Sequence, residues 1–154
     1  IYLVRGISER DLRPLCLGRS NVLLLELPRQ SYKTWMLEEI QNLSYALGIV
    51  PVLAHIERYL SWYKKQDFEE LLSFDELVFQ CNAESLLDRR AFRFLYDLAA
   101  SGSPVVIGSD AHNMNDRAPH YDTALPALDK KRKGRLLLSC MQKSIRDMDI
   151  WGRR

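Results

Sequence analysis

The stretch Val22-Leu23-Leu24-Leu25-Glu26-Leu27, closed by Pro28, decides how this chain is read. A short apolar run with one polar member, stopped by proline, predicts a strand covered on both faces. Strands of that kind belong to parallel sheets, and a parallel sheet needs long crossovers between its strands. The sequence supplies them. Ser31 can cap a helix whose apolar positions Trp35, Met36, Ile40, Leu43 and Leu47 recur at helical spacing, and Gly48 stands where the chain must leave it with positive φ. A second apolar run over 49–54 ends at His55. The cycle repeats with a helix over 67–73, a strand over 76–81, a helix over 88–101 and a strand over 104–108 that runs into Ser109-Asp110. Residues 124–151 read as helical. Four apolar strands alternating with helices predict an α/β fold built of βα units, with right-handed crossovers that bring all four strand C-termini to one edge. Active sites in such folds are built at that edge.

Composition bounds the alternatives. The chain has 154 residues, 47% of them hydrophobic and 27% charged, which suits one globular domain and excludes disorder, collagen and coiled-coil rods. Its 22 Lys+Arg against 20 Asp+Glu leave a net charge of +2 with both signs interleaved, so no nucleic-acid partner is expected. No apolar stretch approaches the ~18 residues of a membrane span, and no signal peptide opens the chain; no membrane insertion and a cytoplasmic location are expected. Cys16, Cys81 and Cys140 are odd in number and widely spaced, which argues against a disulfide framework or a structural zinc site. The basic run over 130–133 reads as a solvated helix face.

Polar residues gather where the strands end. The second strand ends in His55, Glu57 and Arg58, the third near Gln80 and Asn82, and the fourth in Asp110, His112 and Asn113, with Arg117 just beyond. Imidazole and carboxylate side chains emerging together suit a divalent cation, and guanidinium groups beside them suit a phosphate. Singly, each has a structural reading: His55 as a hydrogen-bonded histidine, Asp110 as a cap, Arg58 as a surface ion-pair partner. Jointly they favour a site, because two of the three histidines fall on one predicted edge. Alternation along an extended chain would put Asp110 and His112 on the same side.

Two of these segments carry a family resemblance. Ala54-His55-Ile56-Glu57-Arg58-Tyr59 and Gly108-Ser109-Asp110-Ala111-His112-Asn113, followed by Arg117-Ala118-Pro119, resemble the paired signatures of the PHP (polymerase and histidinol phosphatase) superfamily, specifically the bacterial capsule and exopolysaccharide tyrosine phosphatases. Glu26-Leu27-Pro28 and the segment Gln80 to Leu86 fit the same pattern, and the likeness runs from about Leu23 to about Leu138. Ile56 stands where the family has proline.

The resemblance implies a distorted (β/α)7 TIM-like barrel of the PHP fold. It implies a cluster of divalent metals, usually manganese with zinc or iron(II) as alternatives, and hydrolysis of phosphotyrosine in a protein substrate such as a bacterial tyrosine kinase. His55, Asp110 and His112 would then be metal ligands. Arg58 and Arg117 would be catalytic groups on the phosphoryl.

The family pattern also has an H-x-H segment, further histidines and a bridging Glu placed before the start of this sequence; here His55, His112 and His120 are the only histidines. The expectation is therefore a C-terminal part of the barrel, residues 1–154 forming one partial PHP domain without its N-terminal strands. Alone it would be inactive or nearly so, and prone to self-association or to pairing with the missing half. Two rivals stand: a PHP phosphatase for histidinol phosphate or another small molecule, and a non-catalytic interaction fragment.

Three residues and one motif take minor roles. Asn82 can hydrogen-bond a ligand or substrate from the third strand end or serve a turn. Glu26 can face the cleft, with ion pairing to a nearby Arg favoured; His120 is expected to be exposed. Cys140 and Arg146 match the C-x5-R spacing of cysteine-dependent phosphatases. That stretch has no glycine and continues a helical apolar pattern through Leu137, Met141, Ile145 and Met148, so its N–H groups would be tied up in the helix.

Overall fold

In the computed structural model, which describes residues 1–113 and 119–151, four strands form one parallel sheet. They are β1 (Val22–Leu25), β2 (Val50–Leu53), β3 (Val78–Asn82) and β4 (Val105–Gly108), hydrogen-bonded in the order β1-β2-β3-β4. The helices α1 (Thr34–Leu47), α2 (Lys65–Leu72) and α3 (Arg89–Ala100) connect them; α4 (Tyr121–Asp129) and α5 (Arg132–Trp151) follow. When each strand pairs with the next in sequence and every crossover has one hand, the helices collect on one face of the sheet.

The two faces differ accordingly. Leu23, Leu25, Leu53, Phe79, Cys81 and Val105 join Met36, Ile40, Leu43, Leu71, Leu95 and Leu137 of the helices in one buried cluster. Each fully buried aliphatic side chain contributes roughly 1.5–3 kcal/mol to folding. On the other face a smaller cluster of Val22, Val52, Val78 and Val106 forms a β-branched patch, and towards the C-terminal edge this face carries Glu26, Gln80 and Asn82 in place of valine. Alternation along the strands therefore delivers polar side chains to one end of one face.

Local signals explain most boundaries. Gly48 ends α1 with φ 63°, its N–H bonded to Ser44 O, as its position predicts. Helix α1 begins at Thr34 behind an extended Lys33 rather than at a Ser31 cap. The ring of Tyr32 stands edge-on to Tyr63 at 5.6 Å, which draws residues 31–33 along the core before the helix starts. Strand β3 runs two residues later at its start than the apolar run suggests, because a turn bonding Leu77 N–H to Phe74 O occupies the approach.

The predicted C-terminal helix is two helices. Gly134 lies so close to the end of α4 that a Cβ there would sit 2.0 Å from Leu128 O, and only glycine permits that crossing. Residues 130–133 are exposed at the junction, as a solvated basic run should be. Among the described residues no helix is long and apolar enough to cross a membrane.

Beyond β1 the chain start lies beside the sheet. Tyr2 bridges Glu26 in parallel, Glu26 N–H donates to Ile1 O and Leu3 N–H donates to Glu26 O, each at 2.8 Å. The following turn is fastened by Glu39 of α1. Its carboxylate accepts from Gly6 N–H at 2.5 Å, Ser8 N–H at 3.2 Å and the Ser8 hydroxyl at 2.7 Å.

Candidate active site

The segment after β2 ties the strand ends together. His55 leaves the strand with φ 37° and ψ 52°, the left-handed region, and a short 3-10 helical turn segment over Ile56–Ser61 follows. Each polar residue of that turn reaches a different strand. Glu57 Oε1 accepts from Asn82 N–H at 3.2 Å, Arg58 Nη2 donates to Asp110 Oδ2 at 2.6 Å, and the Tyr59 hydroxyl donates to Leu27 O at 2.6 Å. His55 N–H donates to Gln80 Oε1 at 2.7 Å. One irregular turn thus fixes the exits of β1, β3 and β4 relative to β2.

These bonds surround a cavity of about 470 Å³ at the C-terminal edge, lined by Glu26, His55, Gln80, Gly108, Asp110 and Tyr121 among others. His55 is 5% exposed, and its Nε2 stands 3.5 Å from Glu26 Oε1. Glu26 Oε1 is buried and accepts no hydrogen bond, although Arg29 Nη2 approaches to 3.7 Å. His55 Nδ1 is likewise buried without a hydrogen-bond partner. Such groups are uncommon in folded proteins unless a ligand, ion or water serves them. Burial, aided by the positive charge of Arg58, holds the His55 imidazole below its ordinary pKa against the opposing pull of Glu26 and Asp110. The ring is therefore neutral near pH 7, the form that binds metals.

A second donor pair borders the first. His112 Nε2 lies 3.4 Å from Asp110 Oδ1, while Asp110 Oδ2 holds Arg58. Their proximity does not arise from strand alternation as the sequence suggests. Asp110 has φ 50°, outside the extended region, and the chain turns there to bring His112 back over the carboxylate.

Glu57 is buried beneath the turn. Burial raises its carboxyl pKa, an effect opposed by the Ser85 hydroxyl and by the backbone N–H groups of Glu57 and Asn82. Asn82 is fully buried, with its Oδ1 accepting from Gln80 Nε2 at 3.1 Å, so it sits under the cavity floor.

The sequence-predicted residues His55, Arg58, Asp110 and His112 are thus brought together, and Arg117 lies outside the described residues. His120 stands just before α4 without a side-chain capping bond and is half-exposed, its Nε2 3.8 Å from Glu84. Glu26 is the partner that sequence reasoning assigned chiefly to ion pairing. The structure places it beside both Arg29 and His55, on the cavity wall. Its signal was its place at the end of an apolar strand. Cys140 and Arg146 lie within α5, where the Ser144 hydroxyl donates to Cys140 O, so no phosphate loop forms there.

The donor chemistry fits a divalent cation: a neutral buried imidazole, a carboxylate oxygen without a hydrogen bond, and a second Asp–His pair of which Asp110 lines the same cavity. Among the described residues no three such donors converge into a single cluster, so the fit is to two pairs rather than to one closed shell.

Comparison with known proteins follows the same line. The sequence model of the capsular polysaccharide synthesis family CpsB/CapC matches residues 3–143. The chain belongs to the CpsB/CapC family. The paired motifs read in the sequence fall within the matched residues. No curated protein matches this CpsB/CapC chain. A solved chain from crystal structures of YwqE from Bacillus subtilis and CpsB from Streptococcus pneumoniae, described as unique metal-dependent tyrosine phosphatases, superposes with a TM-score of 0.68 at 23% identity. The match covers 93% of this chain and 61% of that one, so the present sequence spans under two thirds of its relative's length. At that identity the likeness is one of fold.

Proposed function

We propose that this CpsB/CapC chain belongs to a metal-dependent phosphatase that hydrolyses phosphotyrosine in proteins and so regulates capsular or exopolysaccharide synthesis. The observation that carries the reading is the shared cavity, where a buried neutral imidazole and two carboxylates meet at the C-terminal edge of a parallel sheet, one carboxylate held by the Arg58 guanidinium. Family membership and the fold of the metal-dependent relative support it. The whole protein is then a (β/α)7 barrel of which residues 1–154 are one partial domain, acting in the cytoplasm on a substrate such as a tyrosine kinase. Exposed Ile1, Tyr2, Val4 and Leu24 near the β1 edge support self-association or pairing with the rest of such a barrel.

His55, Asp110 and His112 would hold divalent cations, with Glu26 added as a fourth donor by its place beside His55. Manganese is the favoured ion, with zinc and iron(II) as alternatives. When bound, such ions lower the pKa of water and offset charge on a phosphoryl oxygen. The chain's own residues do the rest. Arg58, together with Arg117, binds the phosphoryl oxygens in its planar fork, and Asp110 Oδ2 holds Arg58 in place at the cavity margin. His55 remains unprotonated and oriented in its buried position. Asn82, a candidate substrate contact by its place at the end of β3, is fully buried, so it supports the Gln80 amide from beneath the floor rather than touching substrate. The isolated 154 residues turn over slowly or not at all, because the sequence has three histidines and no H-x-H pair.

Turnover of a phosphotyrosine peptide and of histidinol phosphate by the complete protein with Mn2+ tests the reading. Preference for the peptide by tenfold or more in kcat/KM is expected. Preference for histidinol phosphate would transfer the assignment to the small-molecule branch.

A further inference from the structure

We propose that Gln80 is the positioning residue for His55, and that Gly108 is glycine so that Gln80 can take this place. The consequence for catalysis rests on the metal reading above; the geometry does not.

His55 occupies the left-handed region with a full side chain, a conformation that L-residues avoid, so something must hold it there. Its N–H donates to the side chain of Gln80, whose Oε1 accepts the bond at 2.7 Å. Both residues are more than nine-tenths buried, so water does not compete for the bond. The other end of the same amide is also fixed. Gln80 Nε2 donates to Cys81 O at 2.7 Å and to Asn82 Oδ1 at 3.1 Å, and those acceptors dictate that the oxygen end faces His55.

Gly108 completes the device from the neighbouring strand. A Cβ at position 108 would stand 2.5 Å from Gln80 Nε2 and 2.9 Å from Cδ, so any larger residue would displace the amide. Gly108 pairs with Asn82 in the β3–β4 register, directly beside the amide it admits.

Gln80 lines the cavity, yet its polar atoms are spent on His55, Cys81 and Asn82. It therefore acts through His55 and is no ligand itself. Without the bond from Gln80, the 54–56 backbone would relax towards commoner angles. The imidazole, carried on Cα, would swing away from Glu26 and the cavity.

The test uses the isotope-labelled chain and two readouts. Exchange protection of the His55 amide and its backbone carbon shifts report the left-handed bond; the spectrum of unbound Mn2+ reports metal affinity. In the unmutated chain the His55 amide should be protected, with left-handed shifts; an unprotected amide overturns the proposal before any variant is made.

Gln80→Leu, close in volume but lacking the acceptor, should lower His55 protection about tenfold or more while Leu53 and Phe79 keep theirs. It should also weaken Mn2+ binding roughly 10–100-fold, the usual cost of losing a group that orients a ligand. Gly108→Ala should reproduce both losses without touching Gln80. Adding Gln80→Leu to His55→Ala should cost no further affinity. Unchanged His55 shifts in Gln80→Leu, or losses that add in the double variant, would overturn the proposal. An unmutated chain that binds no Mn2+ would sink the metal reading alone, and the amide readout would still decide the role of Gln80.

Discussion

Residues 54–59 and residues 140–146 both carry spacing that phosphatases use, and the fold treats them oppositely. In the first, the backbone abandons the strand at a left-handed His55 and each polar side chain reaches a different strand end. In the second, the backbone stays in regular helix, and the Ser144 hydroxyl returns a bond to Cys140 O while accepting one from Val105 N–H of β4, so neither group faces a ligand. A short pattern gains chemistry only where the chain leaves regular structure, because only there are donors and acceptors free to face a ligand.

The largest effect should separate the two segments. In the complete protein His55→Ala or Asp110→Ala should reduce phosphatase kcat/KM by about a thousandfold or more, on the scale of losing a principal transition-state group. Steady-state kinetics with a phosphotyrosine peptide checks this. Cys140→Ser must leave the rate within about twofold; an equal loss there would invert the comparison.

Next, Arg58→Lys keeps the charge but loses the planar fork that meets Asp110 Oδ2 and a phosphate together. A loss of about a hundredfold in kcat/KM is expected, with the circular dichroism spectrum unchanged. A lysine variant at full rate would mean that Arg58 serves as a point charge only.

Tyr59→Phe sharpens the comparison on stability. The hydroxyl bond to Leu27 O is buried, and its removal leaves that carbonyl without its partner, at a cost of about 1–2 kcal/mol in urea unfolding. Arg146→Ala, exposed on α5, should stay within about 0.5 kcal/mol.

A smaller effect, away from both segments, belongs to Glu39. Burial alone would raise its carboxyl, but the Gly6 and Ser8 donors outweigh it and hold the group below its ordinary value of 4.5. A depressed carboxyl contributes stability that is present above the unfolded-state value and is lost as pH falls through the folded-state one. Thermal midpoints of the chain should therefore fall more steeply below about pH 4.5 than those of Glu39→Gln. Parallel curves would mean that the bonds to residues 6–8 add nothing.

Much of this was legible in the sequence, and the reasons differ by element. The apolar runs of β1, β2 and β4 and the exit at Gly48 declare themselves, because a parallel strand and a positive φ restrict residue choice strongly, although Leu24 leaves the second face of β1 exposed where the sequence predicts it covered. His55, Arg58, Asp110 and His112 were legible as strand-end groups, since a parallel sheet sends all its C-termini to one edge. The left-handed turns at His55 and Asp110 were not, for neither residue is glycine and the bonds that hold them come from β3 and the turn after β2. Glu26 was undervalued because its neighbours, His55 and the chain start at residues 1–3, are distant in sequence. The split between α4 and α5 depends on a close approach of Gly134 to Leu128, which periodicity does not register.

The central claim, that the cavity at the strand ends is where a divalent cation binds, is met most directly by substoichiometric Mn2+ added to the 15N-labelled chain. Paramagnetic broadening should appear first at the amides of Glu26, His55, Gln80 and Asp110, and reach 140–146 last. Broadening centred on α5, or none at any of the four rim amides, would contradict the account.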